Sequence, residues 1–191
     1  MYKDEEKRNP TINSPVIGDT NRLRLKDDIP LKKKLVESIT DISQKLPYLS
    51  PVSAKEVEIE LEQGYIRALV DDTGEIKAHV RCLPISDEDS FILTLHGKST
   101  EQVVELLRHL SQAKTITLET VNKHLKDLGI TEKDLLEAGF ERTSLSKLGL
   151  RYVIRTNFYY FKNDPIKFIK GFFRKETRRD QFVVFIRRGK I

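Results

Sequence analysis

Hydrophobic residues early in the chain recur at the spacing of one helical face. Between residues 31 and 46 the apolar positions are three or four residues apart, and mostly polar side chains stand between them. This spacing predicts an amphipathic helix, which ends before Pro47 because proline cannot continue a helix. The apolar stripe consists of Leu31, Leu35, Ile39, Ile42 and Leu46.

From residue 56 the hydrophobic pattern changes to a period of two. Val57, Ile59 and Leu61 alternate with glutamates, which predicts a half-exposed strand. Similar extended patterns follow, and a polar segment rich in aspartate and ending in glycine is typical of a hairpin turn. The predicted strands are residues 57–61, 65–70, 76–83 and 91–95, with the turn at 71–74.

The second half of the chain alternates between helical and extended patterns. Ser99 and Gln102 have the spacing of a capping box, and an apolar stripe follows them. Three β-branched residues at 115–117 favour a strand, and glycines at 129 and 139 end helical patterns. The predicted elements are helices at 99–110, 121–128, 131–139 and 165–179, strands at 114–118 and 151–161, and a short apolar run at 182–186.

The order of these elements predicts an α/β (α+β layered) fold. Helices and strands alternate after an antiparallel group, which suits a mixed central sheet flanked by helices. Residues 1–30 hold three prolines and few large apolar side chains, so we expect a flexible N-terminal arm there. We expect one α/β domain at 31–161 and a basic, aromatic C-terminal extension at 162–191 that adds a helix and a strand.

The composition is that of a globular protein with a highly charged surface. The 191 residues, 38% hydrophobic and 33% charged, are enough for one domain with a sizeable core. No apolar run approaches the roughly 20 residues that span a bilayer, and the charged N-terminus lacks a secretory signal. A single cysteine, Cys82, excludes an intramolecular disulfide and a multi-cysteine zinc site. These features predict a cytoplasmic protein.

Positive charge is concentrated at the C-terminal end. Residues 162–191 hold ten Lys or Arg and three Asp or Glu, a net charge of +7; the other residues hold 24 and 26, a net charge of −2. Seven of the nine phenylalanines lie at or after Phe158. Such a segment suits nucleic acid or an acidic protein, with peripheral membrane contact less favoured and packing on its own domain also open. The candidate partner-binding residues are Lys167, Lys170, Arg174, Lys175, Arg178, Arg179, Arg187 and Arg188.

Few residues indicate catalytic chemistry directly. The four histidines are far apart in sequence, so their spacing indicates neither a zinc site nor a catalytic triad, and no metal is expected. Residues 97–100 read GKST, as a nucleotide-binding P-loop does, but position 92 is isoleucine where that loop needs glycine. The turn into a capped helix still presents backbone N–H groups that favour an anion. A plain turn with a solvated lysine is the alternative.

The run of elements from about residue 55 to residue 161 resembles the GNAT acyltransferase superfamily. The resemblance rests on strand 91–95, the turn at 96–100 with its helix, and Gly139-Phe140 after a short helix. It implies a divergent N-acyltransferase that uses acetyl-CoA or another acyl-CoA. The cofactor-binding residues that it implies are Leu95, Gly97, Lys98, Ser99, Thr100 and Asn122.

The resemblance leaves the catalytic residues unknown. Family members commonly carry a tyrosine, which acts as general acid, four residues before the glycine that corresponds to Gly139. This chain has Leu135 there, and leucine has no proton to give. Either another group protonates the departing thiolate, or the domain is catalytically silent.

A winged helix is the second interpretation of residues 100–161. Helices at 100–112, 118–128 and 131–140 would precede a β-wing at 142–161, and residues 114–117 would form a loop. With the basic extension, this arrangement would be a non-enzymatic module that binds nucleic acid or protein. The acidic residues of the would-be recognition helix disfavour DNA itself. Whether 114–118 is a strand within a sheet or a loop decides between the two interpretations.

Overall fold

Seven strands and five helices are present in the part of the chain that the structure describes. The structure is a computed structural model, and it describes residues 16–17, 28–46, 52–71, 73–87, 89–110, 114–144, 147–148, 152, 154, 166 and 182–189. In chain order the elements are β1 (Val16–Ile17), α1 (Ile29–Lys45), α2 (Ala54–Glu62), β2 (Ile66–Val70), β3 (Ile76–Pro84), β4 (Asp89–Gly97), α3 (Thr100–Arg108), β5 (Thr115–Val121), α4 (Asn122–Asp127), α5 (Glu132–Glu137), β6 (Glu141–Thr143) and β7 (Phe182–Arg187).

The strands form one mixed sheet in the order β1-β2-β3-β4-β5-β7-β6. β4 and β5 are parallel, whereas the other neighbouring strands are antiparallel. Helix α3 makes the crossover that a parallel pair requires. The α/β fold with a mixed central sheet, predicted from the element order, is confirmed.

Helices cover the sheet on both faces, and each face has its own apolar core. On the first, here called the α1/α2 face, Leu35, Ile39 and Val57 are fully buried against β2. On the second, the α3 face, residues of α3, α4 and α5 pack against β3, β4, β5 and β7. Burying each large aliphatic side chain contributes about 1.5–3 kcal/mol, so these two layers hold the sheet in place.

Residues 57–61, predicted as a strand, lie in helix α2, so that prediction was wrong. The Ser53 hydroxyl accepts from the Glu56 N–H at 3.3 Å, and the Glu56 carboxylate accepts from the Ser53 N–H at 2.9 Å. This capping box begins a helix. The alternating pattern misled because Ile59 is 44% exposed while Glu60 is buried. Glu60 can be buried because its carboxylate pairs with Arg81, which lies on β3.

Most other predicted elements are present with similar bounds. The helix expected at 31–46 is α1, and the turn at 71–74 ends in Gly74 with a φ of +77°. The strand expected at 114–118 is β5, which is hydrogen-bonded to β4 on one side and β7 on the other. A strand inside a sheet cannot be the loop of a helical triplet, so the winged-helix interpretation was wrong.

The strand predicted at 182–186 is present as β7, but its place was not foreseen. It lies inside the sheet between β5 and β6, so these residues complete the domain instead of extending it. Part of the predicted arm, Val16–Ile17, likewise pairs with β2. The strand predicted at 151–161 and the helix predicted at 165–179 lie outside the described residues, apart from Tyr152, Ile154 and Ile166, which are helical.

Candidate functional site

Strand β4 has a bulge at Leu93, in the middle of the sheet. Arg81 of β3 pairs with Thr94, and the next residue, Cys82, pairs with Ile92. Leu93 is therefore an extra residue in β4. A bulge bends its strand and increases the local twist, so β4 changes direction at this point.

β4 and β5 separate immediately beyond this bulge. Their parallel pairing joins residues 89–92 to residues 115–118, and it goes no further. β4 nevertheless continues to Gly97, and β5 continues to Val121. The bend in β4 thus opens a wedge between two central strands, here called the gap, with edges at residues 93–97 and 119–121. Backbone groups on these edges need partners other than the neighbouring strand.

His124 reaches across the gap from helix α4. This helix begins directly after β5, and the His124 imidazole lies 2.8 Å from the carbonyl oxygen of Leu95 (Nε2 to O). Because a carbonyl can only accept, Nε2 carries the hydrogen. His124 is 3% exposed, and burial is the largest cause of its lowered pKa, so the ring is neutral near neutral pH. The bond also shows that the Leu95 carbonyl faces the gap.

Helix α3 begins at the open end of the gap. Gly97 ends β4, and the Ser99 hydroxyl caps the helix by accepting from the Gln102 N–H at 3.4 Å. A Cβ at position 97 would lie 2.5 Å from Cγ2 of Val103. Glycine is therefore required here for α3 to pack closely on β4.

The first turn of α3 has several polar groups available for a ligand. Lys98 is exposed and forms an ion pair with Glu75. The Thr100 hydroxyl donates to the Leu128 carbonyl at 2.9 Å, which ties this turn to the end of α4. Oε1 of Gln102 is buried without a hydrogen-bond partner among the described residues. Together with the free N–H groups of a helix start, these groups suit a polar or anionic ligand.

Five of the six predicted cofactor-binding residues lie together. Leu95 and residues 97–100 occupy the end of β4 and the start of α3. Asn122 is exposed and begins α4, which follows the other edge of the gap. The assignment of these residues to a cofactor stays a prediction.

A buried ion pair lies beside the bulge on the α1/α2 face. Nε and Nη2 of Arg81 each donate to one carboxylate oxygen of Glu60 at 2.7 Å, and Nη1 lies 3.5 Å from Oγ1 of Thr94. Arg81 is 3% exposed and Glu60 is 7% exposed. The pair connects α2 to β3 and, through Thr94, to the strand that bends.

Two histidines occupy the neighbouring positions on the same sheet face. His79 of β3 and His96 of β4 pair across the strands, with ring centroids 5.6 Å apart. His79 is 1% exposed, and neither ring nitrogen has a hydrogen-bond partner among the described residues. Burial lowers the pKa of His79 to about 3, with smaller effects of His96 and Arg81. The imidazole is therefore neutral in the folded protein at ordinary pH.

Glu119 and Tyr152 form a pair of titratable groups at the closed end of the gap. Glu119 is the first residue of β5 beyond the pairing with β4, and both Glu119 and Thr117 are near enough to Tyr152 to affect its pKa. Burial raises the pKa of Glu119. It also raises the pKa of Tyr152, and the Glu119 charge raises it further. A carboxylate of raised pKa binds a proton more readily than a solvated one, and a phenol that stays protonated can donate one.

Sequence reasoning missed the three residues His124, Glu119 and Tyr152. Only the sheet register places Glu119 beside an opening, and only the start of α4 directs His124 to Leu95. Tyr152 lay in a stretch predicted as a strand. The sequence signal that could have helped is Glu119 itself, a charged residue inside an otherwise apolar and β-branched strand.

The predicted partner-binding residues differ in their surroundings. Arg187 is buried, because its Nη1 donates to the Leu107 carbonyl at 2.7 Å and its guanidinium lies 5.1 Å from the centre of the Phe140 ring. Its assignment to a partner was therefore wrong. Arg188 is exposed, with Nε 3.7 Å from Oε1 of Glu141. Outside the described residues lie Lys167, Lys170, Arg174, Lys175, Arg178 and Arg179.

Leu135, the residue at the position of the tyrosine expected by resemblance, is fully buried in the core. In the described ranges, no helix combines the length and hydropathy needed to cross a bilayer. The same ranges contain no cluster of three or more His, Cys, Asp or Glu side chains that could hold a metal ion.

The fold is similar to that of an acetyltransferase of known structure. No protein-family model and no curated protein sequence matches the chain. N-acetylglutamate synthase from Neisseria gonorrhoeae, solved with coenzyme A and N-acetyl-glutamate, superimposes with a TM-score of 0.50 at 15% sequence identity. The match covers 86% of this chain and 33% of that one, so this chain spans about a third of the synthase. The GNAT-like fold expected from the sequence is thereby confirmed.

A GNAT-family acetyltransferase from Listeria monocytogenes is also similar, with a TM-score of 0.41 and 11% sequence identity. That match covers 91% of this chain and 94% of the other.

Proposed function

We propose that the protein is a divergent N-acyltransferase that uses acetyl-CoA or another acyl-CoA. The observation that carries the proposal is the gap between the parallel strands β4 and β5, which opens toward the start of α3. A gap inside a sheet offers two unpaired strand edges, and an extended ligand with amide groups can pair with them as an added strand would. The pantetheine arm of coenzyme A is such a ligand.

The residues at the open end of the gap fit the phosphate-bearing part of coenzyme A. The helix start supplies backbone N–H groups at residues 99 and 100, and the exposed Lys98, which also pairs with Glu75, supplies a positive charge. The buried Gln102 amide oxygen, which has no partner among the described residues, can accept a hydrogen bond from an N–H or O–H of the ligand but not from its ionised phosphates. When bound, an acyl-CoA supplies an acyl group activated as a thioester, which an amine attacks readily.

Glu119 and Tyr152 are the best candidates for moving protons in such a transfer. Glu119 would accept the proton that the attacking amine loses, since burial raises its pKa and makes the carboxylate a stronger base. Tyr152 would donate a proton to the departing sulfur, in place of the tyrosine that Leu135 replaces. Proton transfer from Glu119 to Tyr152, directly or through solvent, would then restore both groups for the next turnover.

An amine acceptor agrees with the structural neighbour whose fold is shared. That synthase was solved with N-acetyl-glutamate, which is an acylated amine. Substituting Glu119→Gln or Tyr152→Phe is expected to lower kcat by about 10²–10⁴-fold, the usual contribution of one acid or base, while leaving coenzyme A binding intact. Equal kcat in the variants and the wild type would remove these two residues from the mechanism.

Calorimetry with acetyl-CoA tests the cofactor directly. We expect binding to the wild type, weaker binding to Lys98→Glu, and unchanged binding to Lys33→Glu. The control carries the same charge change on α1, where the lysine side chain is 77% exposed; this helix packs against β2, which is separated from β4 by β3. Absence of binding by the folded wild type at millimolar acetyl-CoA would overturn the proposal.

A further inference from the structure

The hydrogen bond between His124 and Leu95 takes the place of a missing strand–strand bond. Where β4 and β5 separate, a β4 carbonyl that points into the gap loses its partner on β5. A buried carbonyl left without a donor costs about 1–3 kcal/mol, and the His124 imidazole supplies that donor at 2.8 Å. The side chain is itself almost completely buried, so the bond lies inside the protein and not on its surface.

The Leu95 carbonyl is also the group that a ligand in the gap would use. Leu95 lies between the bulge at Leu93 and the end of β4 at Gly97, in the middle of one gap edge. A chain lying along this edge would place amide N–H groups toward β4 carbonyls, as a neighbouring strand does. His124 and such a ligand therefore compete for one acceptor and for the space in front of it.

We propose that His124 is a latch, which closes the gap in the free protein and is displaced when the pantetheine arm of coenzyme A enters. This inference rests on the proposed function, because it names a residue that regulates entry to the same site. The latch selects for ligands that donate an N–H to Leu95, since only these restore the bond that the imidazole gives up. It also lowers the affinity for every ligand of the gap.

The magnitude of the competition follows from the strength of one hydrogen bond. A net contribution of about 0.5–1.5 kcal/mol corresponds to roughly a 2- to 12-fold change in a dissociation constant. Removing the imidazole should therefore tighten coenzyme A binding by that factor. A ligand that occupies only the phosphate end, at the start of α3, should bind unchanged.

Calorimetry with two ligands separates these effects. Coenzyme A carries both the pantetheine arm and the phosphates, whereas adenosine 3′,5′-bisphosphate carries the phosphates alone. His124→Ala is expected to bind coenzyme A 2- to 12-fold more tightly than the wild type and the bisphosphate equally well. The matched control is His109→Ala. His109 is exposed and caps the C-terminal end of α3, so its replacement should change neither affinity.

The outcomes distinguish the latch from the proposed function. Coenzyme A binding that is equal or weaker in His124→Ala, or a gain for both ligands, would overturn the latch while leaving the cofactor proposal standing. If the wild type binds neither ligand, the proposed function fails and the latch fails with it.

A measurement on the wild type covers the case in which His124→Ala does not fold. Long-range ¹H–¹⁵N spectra of the imidazole report which nitrogen carries the hydrogen. The free protein should show His124 with hydrogen on Nε2, and saturation with coenzyme A should abolish that fixed pattern. A pattern that persists unchanged in the saturated complex would refute the displacement.

Discussion

Breaking the buried ion pair between Glu60 and Arg81 should destabilise the protein more than any surface change. Removal of one partner, as in Arg81→Met, leaves the Glu60 carboxylate almost fully buried without a counter-charge. Removing one partner of such a pair costs about 3–5 kcal/mol. Native domains are stable by only about 5–15 kcal/mol, so this is a large fraction of the total. Glu60→Leu should cost a similar amount, because it leaves the guanidinium unpaired.

Urea unfolding followed by circular dichroism measures these losses. With a typical urea slope of about 1–3 kcal/mol per molar, each single variant should unfold at a midpoint lower by about 1 M or more. The double variant Glu60→Leu, Arg81→Met replaces both charges by apolar groups and should recover most of the loss. Its coenzyme A affinity is also informative, because Arg81 contacts Thr94 beside the bulge that opens the gap.

Additive losses would refute this reasoning. If the double variant is destabilised by the sum of the two single losses, the side chains do not interact, and the buried pair contributes nothing as a pair. The control is the exposed pair Lys33 and Glu37, whose atoms are 3.9 Å apart. Disrupting an exposed helical pair changes stability by about 0.5 kcal/mol or less.

Three further predictions follow from other buried and charged groups. The pKa of His79 is about 3 in the folded protein and about 6.5 when unfolded, so acid favours the unfolded chain increasingly as pH falls from 6.5 toward 3. Urea unfolding should therefore show His79→Leu losing about 2 kcal/mol less stability between pH 7 and pH 5 than the wild type; parallel pH curves would contradict this. Arg187→Ala removes the bond to the Leu107 carbonyl and the contact with Phe140, so it should lower the free energy of unfolding by about 2–4 kcal/mol. By the same assay Arg188→Ala should lower it by about 0.5 kcal/mol or less, and equal losses would be incompatible with the buried position of Arg187. Replacing Lys167, Lys170, Arg174 and Lys175 by Gln should weaken the binding of a labelled single-stranded oligonucleotide and reduce the salt dependence of that binding, both measured by fluorescence anisotropy. If the wild type does not bind the oligonucleotide at about 50 mM salt, nucleic acid is excluded as the partner of this segment.

Local signals in the sequence were sufficient for elements whose capping and hydrophobic spacing agree. The start of α3 at Ser99, the turn at Gly74 and the strand around Ile116 were predicted because residues close in sequence determine them. Residues 57–61 were mispredicted because the buried face of this helix contains Val57 and Glu60 but not Ile59, and a glutamate can be buried only when it has a partner. That partner, Arg81, lies on another element.

The candidate site could be predicted only in part, because the gap is a property of strand register. The resemblance pointed to Leu95 and the start of α3, which do lie at the gap. The extra residue at Leu93 becomes visible only when β3 and β4 are aligned in the sheet. The same alignment places His124 and Glu119 at the gap, so no local sequence pattern could have identified them.

The position of β7 also constrains the order in which the protein can fold during synthesis. β5 is synthesised well before β7, and one of its two edges remains unpaired until β7 has been made, because Val121 pairs with Phe182 and Ile116 with Arg187. β6 has no other strand partner among the described residues, so it too must wait. During that interval the nascent chain exposes an apolar strand edge, which is the kind of surface that aggregates or recruits chaperones. A short strand synthesised late thus decides when the sheet is complete, and mutations that slow its docking should reduce yield before they reduce equilibrium stability.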